Sequence, residues 1–284
     1  MDHYIVKNGK KLRYGYTTGA CAAAASKTAA YMLFRQVPLS RVTIETPKGW
    51  ELDLEVLDIS ISRDLCSCGV KKDGGDDPDI TSGMIVYSKA ERIPGNGIKV
   101  DIGEGIGRVT KKGLQRKPGE PAINPVPLSM IYKEVGEVKP RDEGVKITLS
   151  IPGGEKAALS TFNPRLGIVG GLSILGTSGI VEPMSVEALK KTLEIELSML
   201  AAQEHNKVIL VPGNYGKGYA KKAGKNHNLI IAEGNFLGFM LEKSVEYGIE
   251  EIELIGDLGK LVKVAAGIFD TAGRVADARG EIMA

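Results

Sequence analysis

A chain of 284 residues, 43% hydrophobic and 25% charged, has the makeup of an ordinary globular protein with room for one large or two modest domains. Its net charge of +2 and its 5% aromatic content give no electrostatic case for nucleic acid or a membrane surface and little for base stacking. Three cysteines, Cys21, Cys66 and Cys68, form neither a zinc spacing nor an even disulfide set, and with only three histidines beside them no metal site is expected.

The opening MDHYIVKNGKKLRYGY has no apolar signal core, and no run of about 18 apolar residues occurs, so a cytoplasmic protein is expected. Thr17, Thr18 and Gly19 then precede a run of small residues from Ala20 to Ala30. Alanine is the best helix former and threonine caps a helix start, so a helix is predicted here. Its nearly flat face admits another backbone or a broad ligand. Its N-terminus, with Arg13, Thr17 and Thr18 beside it, suits a carboxylate; a capped helix packed tightly on a sheet explains the residues equally well.

Val42–Thr46 and the alternating Trp50, Leu52, Leu54 and Val56 flank a Pro47-Lys48-Gly49 turn, which predicts a half-buried hairpin. The next loop crowds Asp73, Asp76, Asp77 and Asp79 into one short segment between two short strands. Mutual repulsion would raise the pKa of one of these carboxylates, which could then serve as a base. A solvated acidic turn is the plain alternative, and hard-metal binding lacks the EF-hand pattern. Lys71 and Lys72 adjoin the loop, placed either to neutralise it or to meet an acidic ligand. Arg108, Lys111, Lys112, Arg116 and Lys117 form a basic, glycine-rich segment suited to a ligand with several carboxylates or phosphates. With a helix predicted at 127–135 and a strand at 145–151, residues 1–160 read as an α+β domain, a two-layer sandwich.

Leu166–Ser185, LGIVGGLSILGTSGIVEPMS, carries no charge before Glu182. It reads as a strand opening into a glycine-rich loop, with Ser185 capping a following helix. Gly170, Gly171, Gly176, Thr177 and Gly179 suit the cradle of a nucleotide-like cofactor; a glycine turn packed on a neighbour is the alternative, and the spacing is not G-x-G-x-x-G. A helix over 185–205 shows Val186, Leu189, Leu193, Leu197 and Leu200 on one stripe. Strands at 208–211, 229–232 and 252–255 each end in a glycine beside Asn or Asp, with helices at about 235–247 and 258–267. This alternation predicts a Rossmann-like, mainly parallel sheet over residues 161–284. Gly213, Asn214, Tyr215, Gly216 and Gly256 are expected to join the central glycine loop at the carboxyl ends of its strands, where such sheets bind ligands. The segment from Gly213 to Tyr219 reads as a loop whose aromatic could stack on a flat ring.

Together these segments resemble the cobalt-precorrin-5B C-1 methyltransferase family of anaerobic cobalamin biosynthesis. The resemblance rests on YGYTTGACAAAA at 14–25, VKKDGGDDPDIT at 70–81, GEGIGRVTKKGL at 103–114, GEPAINPVP at 119–127, FNPRLGIVGGLSILGTSGIVEPMS at 162–185, PGNYG at 212–216 and GKLVKVAAGIFDT at 259–271. It runs over nearly the whole chain in order. It departs where the family tends to carry histidines and this chain has Asp257, Ala272 and Gly273.

The resemblance implies transfer of a methyl group from S-adenosylmethionine to ring carbon C-1 of a cobalt-containing corrinoid precursor, on a fold distinct from the common tetrapyrrole methylases. The cobalt belongs to the substrate. On this reading Arg13, Thr17, Thr18, Lys71, Lys72, Arg108, Lys111, Lys112 and Arg165 would meet the many-carboxylate ring, held between the two domains. Asp76 or Asp77 would take any proton the ring gives up, and S-adenosylmethionine would lie at the glycine-rich strand exits. No nucleic-acid or membrane partner is expected; a homodimer and transient contacts with neighbouring pathway enzymes are compatible with the sequence. The residues alone leave open a nucleotide-dependent reductase of a related tetrapyrrole, and a carrier that binds a corrinoid or nucleotide without chemistry.

Overall fold

The chain begins with a hairpin of β1 (Tyr4–Lys7) and β2 (Lys10–Arg13), the short β3 (Gly15–Tyr16) and helix α1 (Thr18–Arg35). The computed structural model describes residues 3–7 and 9–284. It divides into two units, Met1–Lys111 with Gln115–Met184, and Lys112–Leu114 with Ser185–Ala284. The stretch 161–184, expected in the second domain, thus belongs to the first unit. Its short strands find their partners there, as described below.

Helix α1 starts as the sequence predicts, with Thr17 capping the Ala20 N–H at 3.2 Å. It is not a platform for a broad ligand. Ala20 through Ala25 are fully buried, because side chains this small let the helix lie close against its neighbours on every side. A predicted hairpin follows, β4 (Arg41–Glu45) paired antiparallel with β5 (Glu51–Glu55), its Val42, Ile44, Leu52 and Leu54 buried and its charged residues exposed. Strands β6 (Leu57–Ile61), β7 (Leu65–Lys71), β8 (Ile85–Ile93) and β9 (Ile98–Ile102) belong to the main sheet. Then come β10 (Arg108–Val109), helix α2 (Pro125–Val138) and β11 (Gly144–Ser150). The sheet order is β6-β7-β8-β11-β9. It is mixed, since β11 runs antiparallel to β8 and parallel to β9.

Helices α1 and α2 pack together and are clasped by Lys27, whose ammonium lies 2.6 Å from the buried Glu134 and 2.9 Å from Glu137. The unit closes with helix α3 (Gly154–Ala158), β12 (Ile168–Val169) and β13 (Ile180–Val181). β12 pairs with β10 and β13 with β3, both antiparallel.

In the second unit, helix α4 (Val186–Ala202) is capped by Ser185 as predicted, and Leu193, Leu197 and Leu200 are buried. Leu189, predicted on the same stripe, is 47% exposed. Strands β14 (Lys207–Val211), β15 (Ile230–Ala232) and β16 (Glu251–Leu254) form a three-stranded sheet of order β15-β14-β16, in which β14 runs parallel to both neighbours. Helices α5 (Gly213–Lys222), α6 (Leu237–Glu246), α7 (Leu258–Ala265) and α8 (Arg279–Met283) accompany the sheet. The segment expected to be a loop after Gly213 is therefore a helix. Its Gly216 is required for packing, since a Cβ there would lie 2.9 Å from the Ile255 carbonyl oxygen and from the Val211 Cβ.

Candidate functional sites

The parallel strands of the second unit bring three chain exits to one edge of its sheet. β14 ends at Val211, Pro212 follows, and Gly213 opens α5 with φ at +78°. No atom lies within 4 Å of where its Cβ would be, so this turn is open. Asn214 and Tyr215 follow in the first turn, with Tyr215 79% exposed. β16 ends at Leu254 and leads through Ile255 and Gly256 to Asp257, whose carboxylate caps α7 by accepting the Lys260 N–H at 3.1 Å. Gly256 is a packing glycine, its Cβ position only 2.5 Å from the Pro212 ring.

The exit of β15 holds the least expected residue. Glu233 is only 2% exposed, and its Oε2 has no hydrogen-bond partner. Burial pushes its carboxyl up to about 7, against the pull of the Phe236 N–H and Lys260 and with a smaller push from Asp270. The neighbouring polar groups are already engaged. Lys260 reaches Asn235 Oδ1 and the Thr271 carbonyl, the latter at 3.1 Å. Lys263, buried, donates to the Ala276 carbonyl at 2.6 Å. Glycines and their Asn and Asp neighbours are the local signal at these exits, and they do not single out Glu233. Its signal is position, an acidic residue directly after the strand beside β14 and 20 residues beyond Gly213.

The central glycine loop belongs to the first unit and is not part of the three-stranded sheet. In the first unit the loop covers the start of α1. Thr18 Oγ1 accepts the Leu175 N–H at 3.0 Å. The Gly19 and Thr17 N–H groups donate to the carbonyls of Leu175 and Gly179, each at 3.0 Å. The α1 N-terminus and Thr17 and Thr18 are thus satisfied internally, and the structure does not present them to an anion. Gly171, Gly176 and Gly179 serve this contact. Their Cβ positions fall 2.3 Å from Gly105, 2.4 Å from Thr17 and 2.8 Å from Thr46. At these three positions protein atoms fill the space that a missing side chain leaves. Gly170 and Thr177 are exposed and stand clear of this packing.

The acidic loop is likewise a clasp rather than a set of repelling charges. Arg13 forks onto Asp73 at 2.6 and 2.8 Å and holds its carboxyl below the usual range. Lys72, 2% exposed, meets Asp79 at 2.5 Å. Burial alone would raise the Asp79 carboxyl, but Lys72 and Thr81 together lower it. Asp76 accepts the Arg13 N–H at 2.6 Å and Asp77 the Met184 N–H at 2.9 Å. Opposite charges and backbone donors outweigh like-charge repulsion here: Arg13 and the Met184 N–H come from segments distant in sequence, and Lys72 and Thr81 from the loop's own flanks. Arg13 and Lys72 are therefore structural counter-ions. Lys71 is exposed and lines a cavity of about 480 Å³ with Tyr16, Glu55, Asp73 and Ser82.

Of the remaining predicted cations, Arg108 pairs with Asp101 at 3.4 Å, and the Lys111 stem lies over Gly167. Arg165 sits half-buried shortly before β12. Lys112, next to Lys111 in the chain, is exposed and is grouped with the second unit. Among the described residues no group of three or more His, Cys, Asp or Glu could hold a metal ion, and no helix is long and apolar enough to cross a membrane.

A family model described as CbiD matches residues 5–183. Cobalt-precorrin-5B C(1)-methyltransferase of Thermoanaerobacter sp. (strain X514) is 65% identical over 284 residues, covering 100% of this chain and 78% of the relative. The protein of the same name from Alkaliphilus metalliredigens (strain QYMF) is 53% identical over 100% of this chain and 76% of its own length. A crystal structure of cobalamin biosynthesis protein (cbiD) from Archaeoglobus fulgidus is 29% identical, covers 98% of this chain and 88% of its own, and has a TM-score of 0.49.

Proposed function

Because this chain belongs to the CbiD family, we propose that it transfers the methyl group of S-adenosylmethionine to C-1 of cobalt-precorrin-5B. The observation that carries this reading is 65% identity, over the full length of the chain, to a relative named for that reaction. The chemistry is a displacement in which C-1 bonds to the methyl carbon as the carbon–sulfur bond breaks. The electron pair returns to sulfur and leaves S-adenosylhomocysteine. No charged leaving group has to be stabilised, so holding the two reactants in line supplies most of the rate.

We place S-adenosylmethionine in the second unit, read as a Rossmann-like cofactor domain, at the edge where β14, β15 and β16 end. Gly213 leaves room for a ligand against the backbone, and the α5 N-terminus offers unpaired N–H groups to a carboxylate. Asn214, Tyr215 and Asp257 complete that edge. For the ring substrate we favour the first unit, where the cavity beside Tyr16 and Lys71 presents both a cation and hydroxyls. The cobalt enters with the substrate.

Isothermal titration of the full chain with S-adenosylmethionine and separately with NADPH tests the cofactor assignment, with Gly213→Val as the comparison. Binding of S-adenosylmethionine alone, weakened on the order of tenfold or more in the folded variant, is expected. Binding of NADPH alone would instead favour a reductase.

A further inference from the structure

Glu233 is a buried carboxylate with an open acceptor, at the end of the strand next to the one that leads into α5. Within the reading of this unit as the S-adenosylmethionine site, we propose that the Glu233 carboxylate binds the ribose hydroxyls of the cofactor. Three observations carry the assignment. First, β15 lies parallel and adjacent to β14, and Glu233 is the first residue past β15. In doubly wound sheets an acidic side chain at this place, about 20 residues beyond the glycine of the first turn, receives ribose hydroxyls; here the separation from Gly213 is 20.

Second, the side chain is 2% exposed while Oε2 makes no hydrogen bond. A buried acceptor left open is costly unless a donor arrives, and the vicinal 2′- and 3′-hydroxyls are paired donors without charge. Third, the cation that could have closed the site is committed elsewhere. Lys260 is held by Asn235 Oδ1 and the Thr271 carbonyl, and Asn235 is held in turn. The residue following Glu233, Gly234, has open space where a Cβ would be, so a sugar can approach the backbone there.

The test is titration calorimetry of the full chain with S-adenosylhomocysteine and with its 2′-deoxy and 3′-deoxy analogues, repeated on Glu233→Gln and Glu233→Ala. Urea unfolding establishes that each variant is folded. In the wild-type protein, removal of either hydroxyl is expected to weaken binding on the order of tenfold or more. Glu233→Gln should weaken the parent ligand to a similar degree and should bind the three ligands with nearly equal affinity. Binding that ignores both the hydroxyls and Glu233 would overturn the ribose contact and leave methyl transfer standing. Absence of binding to the wild-type chain, with and without the corrinoid, would overturn the cofactor assignment and this contact with it.

Discussion

Glu233→Gln raises the free energy of unfolding by about 3 kcal/mol at pH 8 and by less than about 1 kcal/mol at pH 5. The wild-type carboxyl titrates near 7 in the folded chain, against an ordinary value of 4.5. Between those values the folded chain holds a proton that the unfolded chain has released. Stability therefore falls as pH rises across that window, and the whole penalty is present above it. Glutamine has the shape of the neutral acid and does not titrate, so the variant escapes the penalty. Urea unfolding of both proteins at the two pH values measures the effect. Equal differences at pH 5 and pH 8 would show that the carboxyl does not carry a raised pKa. A side chain that destabilises the unliganded protein to this extent is well explained by a bound partner, which links the stability result to the ribose contact.

Gly105→Ala is expected to lower stability by more than about 4 kcal/mol, or to abolish soluble folding. Gly105 sits at φ +74°, and a Cβ there would lie 1.8 Å from the Ile151 carbonyl oxygen. Two further glycines close on the same point. A Cβ at Gly154 would be 2.2 Å from the Gly105 oxygen, and one at Gly171 would be 2.3 Å from the Gly105 carbonyl carbon. Three backbones thus meet without side chains between them, tied by the Leu172 N–H to the Gly105 carbonyl at 2.9 Å. Nothing at this point can yield, since each obstacle is main chain. Gly213→Ala makes the contrast. Its Cβ enters open space, so only the positive φ is penalised, at about 1 kcal/mol. Urea midpoints for the two variants decide the matter, and similar losses in both would contradict the three-backbone contact.

The elements that the sequence displayed most clearly are those governed by local rules. Thr17 and Ser185 cap the helices that follow them, the β4–β5 hairpin alternates as its residues require, and the three strands of the second unit lie within a residue or two of their predicted places. What could not be read locally was the use of glycine. At Gly171, Gly176 and Gly179 it admits other parts of the protein, whereas at Gly213 the same residue leaves space empty. Sequence shows that a Cβ is absent and not what takes its place. The acidic loop failed for a related reason. Counting four carboxylates predicts repulsion; Lys72 beside the loop is the counter-ion the sequence offers, whereas Arg13 and the Met184 amide arrive from elsewhere in the chain and complete the reversal. Helix α5 was hidden by its glycines, one of which is there to lie against the sheet. Glu233 stood beside a glycine and an asparagine that drew the attention, and only its burial and open oxygen set it apart.

The central claim is methyl transfer, and turnover tests it most directly. The purified chain is incubated anaerobically with cobalt-precorrin-5B and S-adenosylmethionine carrying an isotope-labelled methyl group, and the corrinoid is recovered for mass and magnetic-resonance analysis. The account predicts one labelled methyl on ring carbon C-1 and an equal amount of S-adenosylhomocysteine. A corrinoid recovered without label, from a chain shown to bind both the ring and the cofactor, would contradict it.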